Sequence, residues 1–577
     1  MKSIALNAPI EDLWELLSEN TVDPNRIICV FDSKGLCGII TDSEIRKFIA
    51  NNRTLPTQID TIMRKNFIYV DRDSNRLEMA KSVADQLEKR KHSNLNTINE
   101  VLIVSSDTVT LSPLSDFQSE LNILNDKFIV IGLGYVGLTL FAVLFSKLGC
   151  EKVFGIESDE LKLQKLRSKD FYILEPGLRD YLIDLKDSNV FKDIEEVWGK
   201  EGRSFGRSVY FVSVQTPVSE DGSTSLKAVL SVSMDIAKNL QRGDIVIIRS
   251  TVPIGTSRWI ARKIENLSKM KCGIDFFVGF APERTIEGDA IREIETLPQI
   301  ISGFSNQCVD KVREVVQRWT VSITIATSLE VAEMTKLSNN AYRDHHFAFA
   351  NELSIIANKH DVDINEVIHL ANAGYKRSSI PLPSSGVGGP CLSKDSKILL
   401  SEKISEETHS LVSLDSSNLG ISTILSARRV NEEIPHYFAS LISHNTPMNS
   451  VGVILGMAFK GLPPTNDLRN SPSIDLLNEL IAIDYEMYCW DSEVNEQELK
   501  EFGLNSLRKL HVDNLALPSF CVIGNNHSNN VEEAKKLIQK YPTVIQIYDP
   551  WDLIRSHGEI AFFRSKNVEI RNLSTLV

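Results

Sequence analysis

A glycine-rich stretch holding a thiol, a cation and a carboxylate carries the strongest chemical signal in this sequence. It reads Gly386-Val-Gly-Gly-Pro-Cys391-Leu-Ser-Lys394-Asp395. Glycines let backbone amides approach a bound anion closely. A lysine beside a cysteine favours the thiolate, which is the nucleophilic form of the side chain. The alternative is a surface turn around a buried, inert cysteine, so the interpretation depends on what else the sequence supplies.

A dinucleotide-binding pattern lies upstream of this stretch. The predicted strand Lys127–Ile131 runs directly into Gly132-Leu-Gly134-Tyr-Val-Gly137, a predicted helix follows, and a second strand ends in Glu157. Gly132 permits the tight turn, Gly134 lets a pyrophosphate approach, and Gly137 lets helix and sheet pack closely. Glu157 would accept hydrogen bonds from ribose hydroxyls and would repel a 2′-phosphate. The pattern therefore predicts NAD rather than NADP, although an isolated acid at that point could be only a solvated strand end.

Three further predicted strands each end in polar residues. The residues at these ends are Thr216, Thr251 and Glu283. Ligands of doubly wound sheets bind beyond the carboxyl ends of the strands. Each residue alone could be a simple strand cap, but the succession of three predicts that they gather near the nicotinamide.

A long helical pattern follows, from residue 328 to about 360. It places Lys336, Asn340 and Arg343 on one face. A solvated polar stripe is the alternative, but the apolar neighbours favour a buried helix with a polar seam. The helix that follows leads to the glycine-rich stretch, so the two helices can bring Lys336 and Cys391 together.

The bulk properties are those of an ordinary soluble protein of several domains. The 577 residues carry a formal net charge of −13, which argues against a general nucleic-acid binder. Eight cysteines without a CxxC pair indicate reduced thiols in a cytoplasm, and no metal site is expected. The uncharged run Phe128–Phe145 has glycines at loop spacing, so we expect a strand, a turn and a buried helix rather than a membrane span. The N-terminus has no apolar core of the kind found in signal peptides.

The first 122 residues predict a separate α+β domain. Two predicted strands, Ile27–Phe31 and Leu36–Ile40, precede a capping box formed by Thr41 and Glu44. The stretch GIITDSEIRKFI resembles the first half of a cystathionine-β-synthase (CBS) pair, whose threonine and following acid often hold an adenine nucleotide. Glu44 stands where an aspartate is usual, and the second half, around 112–116, is degenerate. The alternative is a structural or oligomerising appendage.

Taken together, residues 125 to about 475 closely resemble the nucleotide-sugar 6-dehydrogenase family. The matching pieces, in the family's order, are GLGYVGL, LEPGL, VQTP, STVPIGT, APERTIEG, AEMTKLSNNAYRD, FANEL, GVGGPCLSKD and GMAFKG. The resemblance implies an α/β fold with two Rossmann-like doubly wound domains, joined by a helical dimerisation segment and preceded by the CBS-like domain. The expected bounds are 1–122 for the CBS-like domain, 125–325 for the NAD domain, 326–435 for the central helices and 440–577 for the domain that binds the UDP-sugar.

The resemblance also implies a four-electron oxidation at C6 of a UDP-sugar with two NAD+. Lys336, or a water linked to Asp395, would serve as the base, and Lys336 with Asn340 would hold the oxyanion. Cys391 would capture the aldehyde as a thiohemiacetal, which is oxidised to a thioester. Glu283, with Thr251 nearby, would position the hydrolytic water.

Binding roles follow from the same resemblance. The implied cofactor-binding residues are Gly132, Gly134, Tyr135, Val136, Gly137, Glu157, Thr216, Thr251 and Lys394. The implied substrate-binding residues are Glu283, Arg284, Lys336, Asn340, Arg343, Gly386, Gly388, Gly389, Phe459 and Lys460, with the amides of 386–389 on the UDP phosphates. We expect a homodimer or a higher homo-oligomer, no membrane and no nucleic acid, and an adenine nucleotide as a possible ligand of the CBS-like domain.

The motifs leave the sugar open. APER and NAYRD…FANEL resemble the N-acetylhexosamine branch of the family, in which the sugar is of the ManNAc or GlcNAc type, whereas Lys394 is closer to the glucose-type pattern. His345 and His346 stand where Val-Asn is more usual, and YDPWDL departs from the expected Asp-x-Arg-Asn, with Arg555 as a possible substitute. The alternatives are UDP-glucose, a simpler β-hydroxyacid dehydrogenase, which would need no such cysteine, and a nucleotide-sensing scaffold that has lost catalysis.

Overall fold

The computed structural model describes most of the chain. The described residues are 2–18, 27–33, 35–65, 67–72, 74, 79, 82–83, 86, 100–104, 109–113, 126–201, 206–219, 222–320, 322–377, 379–401, 410–411, 422–507, 517–555 and 557–573. They form two compact units, Met1–Asp126 with Arg203–Arg207, and Lys127–Gly202 with Ser208–Val577.

Helices and strands alternate along most of the described chain. The strands are β1 (Lys2–Ala5), β2 (Ile27–Asp32), β3 (Gly35–Thr41), β4 (Ile68–Asp71), β5 (Glu100–Val104), β6 (Val109–Pro113), β7 (Lys127–Ile131), β8 (Val153–Ile156), β9 (Val190–Phe191), β10 (Ser208–Val212), β11 (Thr224–Ser225), β12 (Ile245–Ile248), β13 (Phe277–Phe280), β14 (Gln299–Gly303), β15 (Ile323–Ile325), β16 (Ser410–Leu411), β17 (Val451–Leu455), β18 (Glu486–Trp490), β19 (Pro518–Ile523), β20 (Gln546–Tyr548) and β21 (Glu569–Arg571). The α-helices are Ile10–Ser18, Asp42–Asn52, Tyr135–Leu148, Glu160–Arg167, Leu178–Tyr181, Ile194–Glu201, Lys227–Asn239, Thr256–Ser268, Ala290–Thr296, Asn306–Val316, Leu329–Lys359, Ile364–Asn372, Gly389–Leu399, Ser422–Asn445, Pro472–Ala482, Glu496–Glu501, Asn529–Lys540 and His557–Ser565.

The first unit repeats one small strand pattern. In the sheet β1-β2-β3 a parallel pair is followed by an antiparallel hairpin, and β4-β5-β6 has the same order. The capping box expected at Thr41 and Glu44 is present at the start of the helix Asp42–Asn52. Of the degenerate second half expected around 112–116, residues 114–116 lie outside the described residues.

The NAD half of the second unit is built on an eight-stranded sheet, in the order β15-β14-β13-β12-β10-β7-β8-β9. Its pairs are parallel except that β14 runs antiparallel to β13. Phe128 and Val130 of strand β7 face one hydrophobic core, and Ile129 and Ile131 face the other. A strand covered on both faces must be apolar throughout, which explains the uncharged run in the sequence. That run forms β7, a turn and a buried helix, as expected, and no helix in the described ranges is long and apolar enough to cross a membrane.

A second parallel sheet, β18-β17-β19-β20-β21, follows near the C-terminus. Val453 and Ile454 on its central strand, β17, again face opposite cores. The chain therefore has the two doubly wound α/β domains that the sequence predicts. In such sheets ligands bind beyond the carboxyl ends of the strands, beside the loops that follow them.

Two long helices lie between the sheets. The 31-residue helix Leu329–Lys359, called here the central helix, packs against the helices Ser422–Asn445 and Gly389–Leu399. A buried polar network joins them: Asp344 accepts hydrogen bonds from Arg428, Asn431 and Ser396. Arg428 also donates to the carbonyl of Val387, 2.6 Å away, in the glycine-rich stretch. The backbone before Cys391 is thereby tied to both long helices.

Candidate active site

The glycine turn after β7 has the geometry of a pyrophosphate site. Gly132 adopts a φ of +86°, which strains any residue with a side chain. A Cβ at Gly137 would lie 1.8 Å from the carbonyl oxygen of Gly132, so helix and sheet leave room only for hydrogen. A Cβ at Gly134 would meet nothing within 4 Å. Gly134 therefore faces open space at the start of the helix Tyr135–Leu148, and these residues fit the approach of a dinucleotide.

Glu157 lies at the carboxyl end of β8, where the sequence predicts a ribose acceptor. One of its carboxylate oxygens accepts from the N–H of Leu133 at 3.1 Å, and the other accepts from the N–H of Asp159 at 3.0 Å. A carboxylate has about four acceptor positions. Two of those of Glu157 are therefore free for ribose hydroxyls.

Tyr135 connects the glycine turn to the loops on the substrate side. Its hydroxyl bonds to the carboxylate of Glu175 in LEPGL, and it accepts from the N–H of Gly288 at 2.7 Å. Glu175 also accepts from the N–H groups of Gly288 and Ile291, at 3.0 Å each, beside the start of the helix Ala290–Thr296. Burial and Glu175 raise the pKa of Tyr135. Its hydroxyl group thus fastens two loops, and a direct contact with the cofactor stays a prediction.

The strand-end residues also meet. The Thr216 hydroxyl donates to the carbonyl of Thr251 at 2.6 Å. Glu283, which is buried, pairs with the guanidinium of Arg249 and accepts from the N–H groups of Arg284 and Thr285. Burial alone would raise the pKa of Glu283, but Arg249 and the hydrogen bonds together bring it below its usual value. Glu283 is therefore an ionised acceptor.

Cys391 and the polar seam of the central helix lie side by side. Asp395 is fully buried and accepts from Asn340 at 2.6 Å and from the Lys394 ammonium at 2.7 Å. Cys391 has solvent exposure, and the charges of Lys336, Asp395 and Lys394 act on its thiol. The spacing argument that put Cys391 beside the lysine-bearing helix is consistent with this arrangement.

The charge state of the thiol differs from the expectation. Cys391 lies in a recess crowded by protein atoms, and this desolvation raises the pKa of the thiol. Lys336 and Lys394 lower that pKa, while Asp395 and Glu287 raise it further. The net direction is upward although Cys391 also has solvent-exposed surface, so the expected bias toward thiolate finds no support in the protein alone.

The glycines before Cys391 also serve a different purpose from the expected one. A Cβ at Gly386 would meet Pro472 at 2.8 Å, one at Gly388 would meet the Asn470 carbonyl at 1.9 Å, and one at Gly389 would meet the Phe459 ring at 2.6 Å. The Gly389 N–H already donates to the Asn470 carbonyl at 2.9 Å. These glycines are needed because the second sheet domain packs against them. The idea that all the amides of this stretch are free for phosphate is wrong at Gly389.

Cationic side chains from both halves converge beside this stretch. Lys460 donates to the main-chain carbonyl of Glu287 at 2.5 Å, and Arg469 pairs with Asp467. Burial lowers the pKa of Lys460 to about 8, and the charge of Arg343 on the central helix lowers it too. Burial and Asp467 raise the pKa of Glu287 to about 7. Lys460 is therefore under the influence of both a carboxylate, that of Glu287, and a guanidinium, that of Arg343.

A cleft of about 450 Å³ opens beside the polar seam. It is lined by Arg284, Leu297, Pro298, Ile300, Thr324, Lys336, Asn339, Asn340 and Arg343. Three predicted substrate residues of the seam, Lys336, Asn340 and Arg343, thus share one cavity with Arg284. Within the described residues no group of three His, Cys, Asp or Glu side chains could hold a metal ion.

Several residues of the site escaped the sequence analysis. Arg249 follows an apolar strand and could have been found as a charge at a buried strand end. Glu175 lies within the motif LEPGL, which by itself gives no indication of the residue's role. The pairing of Asp344 with Arg428 spans 84 residues of sequence and leaves no local pattern.

Comparison with known proteins agrees with this architecture. The chain matches the UDP-glucose/GDP-mannose dehydrogenase family in its NAD binding domain over residues 126–320, its central domain over 330–419 and its UDP binding domain over 453–552. A CBS domain matches residues 1–51. The fold and site define an NAD-dependent oxidoreductase with two Rossmann-like domains.

The chain belongs to the UDP-glucose/GDP-mannose dehydrogenase family. It is 33% identical to UDP-N-acetyl-D-mannosamine dehydrogenase of Pyrococcus horikoshii over 60% of this chain and 79% of the relative, and 32% identical to the enzyme of that name from Campylobacter jejuni over 62% and 84%. The solved structure of the P. horikoshii UDP-D-ManNAc dehydrogenase superposes with a TM-score of 0.64 at 28% identity, covering 78% of this chain and 99% of that one.

The two glycines of the first turn make a matched pair of variants. Gly134 has a φ of −62°, which alanine accepts, so Gly134→Ala keeps the fold while its methyl group enters the dinucleotide space. We expect NAD+ affinity to fall by about tenfold or more, or roughly 1.4 kcal/mol. Gly137→Ala must displace the Gly132 carbonyl and costs about 1–3 kcal/mol of folding free energy. Calorimetric titration with NAD+ and thermal melts distinguish the two, and unchanged NAD+ affinity in Gly134→Ala would contradict the assigned site.

Proposed function

We propose that this protein oxidises the C6 hydroxymethyl group of a UDP-N-acetylhexosamine to a carboxylate, using two NAD+ and a covalent intermediate on Cys391. The observation that carries the proposal is that Cys391, a residue with solvent-exposed surface, lies next to Lys336 and the buried pair of Asn340 and Asp395. A simple alcohol dehydrogenase has no use for a nucleophile there. NAD+, when bound, accepts a hydride from C6 in each of the two oxidations.

The first oxidation needs a base at the C6 hydroxyl. Lys336 is buried and lines the cleft, and Asp395 can hold a water or orient the lysine. Lys336 and Asn340 then donate to the oxygen as its charge develops. Asn340 is fixed in place because its amide donates to Asp395 at 2.6 Å.

The second oxidation requires that the aldehyde be held. The thiol of Cys391 adds to the C6 aldehyde, its proton passes to the carbonyl oxygen, and a thiohemiacetal forms. Loss of a hydride and of the hydroxyl proton leaves a thioester, and water then releases the acid and restores the thiol. Because the resting pKa of the Cys391 thiol is raised, Lys336 or a water must take the proton as the bond forms. Glu283, as a fixed ionised acceptor, suits the positioning of the hydrolytic water.

Cationic side chains would surround the diphosphate of a bound UDP-sugar. Lys460 and Arg343 act on each other electrostatically, and Arg469 lies beside Glu287 across the same gap. Burial lowers the pKa of Lys460 and the charge of Glu287 raises it, while Arg469 is paired with Asp467, so the protein's own carboxylates offset part of this positive charge. A UDP diphosphate would add negative charge beside Lys460, and its binding should raise the pKa of Lys460.

Relatives favour an N-acetylated sugar. Those named above are UDP-N-acetyl-D-mannosamine dehydrogenases, and another, from Salmonella typhi, is a UDP-N-acetyl-D-glucosamine 6-dehydrogenase at 29% identity over 67% of this chain. A relative from Staphylococcus aureus is named protein CapL, which fits a uronic acid destined for surface polysaccharide. UDP-glucose is the second candidate because Lys394 occupies the glucose-type position in GGPCLSKD.

Counting NADH against sugar tests the chemistry. With a panel of UDP-N-acetylmannosamine, UDP-N-acetylglucosamine and UDP-glucose, we expect two NADH for each sugar consumed and the fastest turnover with an N-acetylated sugar. Cys391→Ser should abolish acid formation and keep NAD+ affinity, while Cys150→Ser, at a partly buried cysteine of the NAD domain, should behave as the wild type. One NADH per sugar, or full turnover by Cys391→Ser, would refute the thioester route.

We further propose that the active form contains a second copy of the chain. Tyr342, Phe349 and Ile356 of the central helix follow one another at intervals of seven residues, and their exposed fractions are 62%, 47% and 48%. Residues seven apart share a helix face, and a long apolar stripe on such a face is typical of helix pairing. A second central helix presents the same stripe and fits it by symmetry.

Two substitutions on that stripe test the dimer. Tyr342→Asp with Phe349→Asp should shift the mass from twice 64.7 kDa to 64.7 kDa, because paired carboxylates cannot be buried in an apolar seam. Light scattering behind a sizing column reads the mass. Leu161→Asp, at a still more exposed apolar residue of the NAD domain, is the control and should stay dimeric. A wild type of single-chain mass would contradict the proposal directly.

The CBS domain suggests an adenine-nucleotide ligand. In the first unit the Thr41 hydroxyl bonds to Glu44, so both groups stand together at the start of one helix. We propose that AMP or ATP binds at this position and modulates the enzyme.

Thermal melts can separate this site from the NAD site, which also accepts adenine nucleotides. In the Gly134→Ala background, 1 mM AMP or ATP should still raise the melting temperature by several degrees if the Kd is about 10 µM. Adding Thr41→Val should remove that rise, since the hydroxyl group is lost. A nucleotide effect that disappears with Gly134→Ala alone would assign all binding to the NAD site.

A further inference from the structure

Strand β12 ends in a charge that the sheet buries completely. The Arg249 side chain has an exposed fraction of 0%, and one of its terminal nitrogens bonds to the Glu283 carboxylate. Its Nε and other terminal nitrogen have no hydrogen-bond partner among the described residues. A buried guanidinium with a single carboxylate partner is stable only while that partner is ionised.

Glu283 is held on its other side by the backbone. Its second oxygen accepts from the N–H of Arg284 at 2.8 Å and from that of Thr285 at 2.9 Å. The carboxylate is therefore held at both oxygens. One bonds to the positively charged Arg249, and the other accepts from backbone N–H groups. Both partners lie at adjacent strand ends, since β12 and β13 are parallel neighbours. Thr251, two residues after Arg249, carries the carbonyl that Thr216 bonds to.

We propose that Arg249 is a positioning residue of the acid-forming step. It keeps the Glu283 carboxylate ionised and in a fixed orientation, so that Glu283 acts as a fixed acceptor for the water that hydrolyses the thioester on Cys391. The inference rests on the proposed function for the identity of that step. It predicts that Arg249 acts only through Glu283. The lowered pKa of Glu283, in spite of its burial, agrees with this.

Other charged groups near the ends of β12 and β13 also contribute to stability, and their contributions must be distinguished from that of the Arg249–Glu283 pair. The central helix, which packs against β13, contributes Lys336 and Glu333, and the Glu333 carboxylate accepts from the N–H groups of Gly255 and Ser257. Burial raises the pKa of Glu333 to about 7, so it titrates in the range of interest. The guanidinium of Arg284 is directed to the Pro298 carbonyl. Glu333→Gln is therefore the matched control.

The first experiment needs neither substrate nor cofactor. In the wild type the pKa of Glu283 is lowered on folding, so its contribution to stability is present above the unfolded pKa and is lost as the pH falls. In Arg249→Met burial is opposed only by the hydrogen bonds from Arg284 and Thr285, so the pKa of Glu283 rises relative to the wild type and the ionised carboxylate stabilises the fold less as the pH rises. The melting-temperature deficit of Arg249→Met should therefore grow between about pH 5 and pH 8.

Removing both charges should cancel this trend. Arg249→Met with Glu283→Gln should melt higher than Arg249→Met at about pH 8, with a deficit that no longer depends on pH. Arg249→Lys keeps the charge and should show a small deficit that is constant with pH. Glu333→Gln should leave the Arg249 effect unchanged.

A deficit of Arg249→Met that is equal at every pH, or that survives Glu283→Gln unchanged, would overturn the coupling. If Arg249→Met does not fold, the double variant and Arg249→Lys still give the comparison.

The second experiment reads the step itself. Arg249→Met should lower the rate of acid release by about 10–100-fold, with the KM for the sugar nucleotide within about threefold, and intact-mass analysis should show sugar nucleotide bound to Cys391. In the Glu283→Gln background, Arg249→Met should cause little further loss in the rate of acid release. An equal rise in KM with no covalent adduct would overturn the assignment. If the wild type reduces no NAD+ with any UDP-sugar, the proposed function fails, while the melting experiment still decides whether Arg249 controls Glu283.

Discussion

The site depends on one constraint, which is that a carboxylate buried among apolar strands and helices must find a cation or several N–H groups. Asp395 pairs with Lys394 and Asn340, Asp344 with Arg428, and Glu283 with Arg249. Apart from the adjacent residues Lys394 and Asp395, each of these contacts joins two segments that are distant in sequence. Breaking such a pair leaves an uncompensated charge, which typically costs about 3–5 kcal/mol. These pairs therefore fix the geometry of the site as well as its charge.

The fold and the seam of the site could be predicted because their causes are local. A strand, a glycine turn and a helix have a fixed order in sequence, and the spacing of Lys336 and Asn340 sets a helix face by itself. The acid Glu157 was likewise found from its distance to the glycine turn. By contrast, Arg249 and Arg428 take their roles from partners that only the folded sheet and helices bring near them.

Glycine shows the limit of local inference most clearly. Gly134 and Gly389 look alike in sequence, and each was expected to expose an amide to phosphate. The first faces open space, whereas the second faces the Phe459 ring and gives its N–H to Asn470. The pKa of the Cys391 thiol could not be predicted locally for the same reason, because a lysine nearby in sequence does not indicate how much water the fold removes from the thiol. Desolvation is a property of the packed site, and it outweighs the attraction of Lys336.

The two sheets also explain why one of them takes the dinucleotide. After β17, Gly456 repeats the positive φ of Gly132, and Asp491 repeats the position of Glu157. Asp491, however, accepts four backbone N–H bonds, from residues 457, 458, 493 and 494, so its acceptor positions are filled. A Cβ at Gly456 would lie 2.5 Å from asparagine side chains, much as a Cβ at Gly132 would lie 2.8 Å from the Ser213 carbonyl oxygen. The second domain thus has the turn but no free acceptor position at Asp491 among the described residues, and it meets the NAD half through Lys460 and the loop that contacts Glu287.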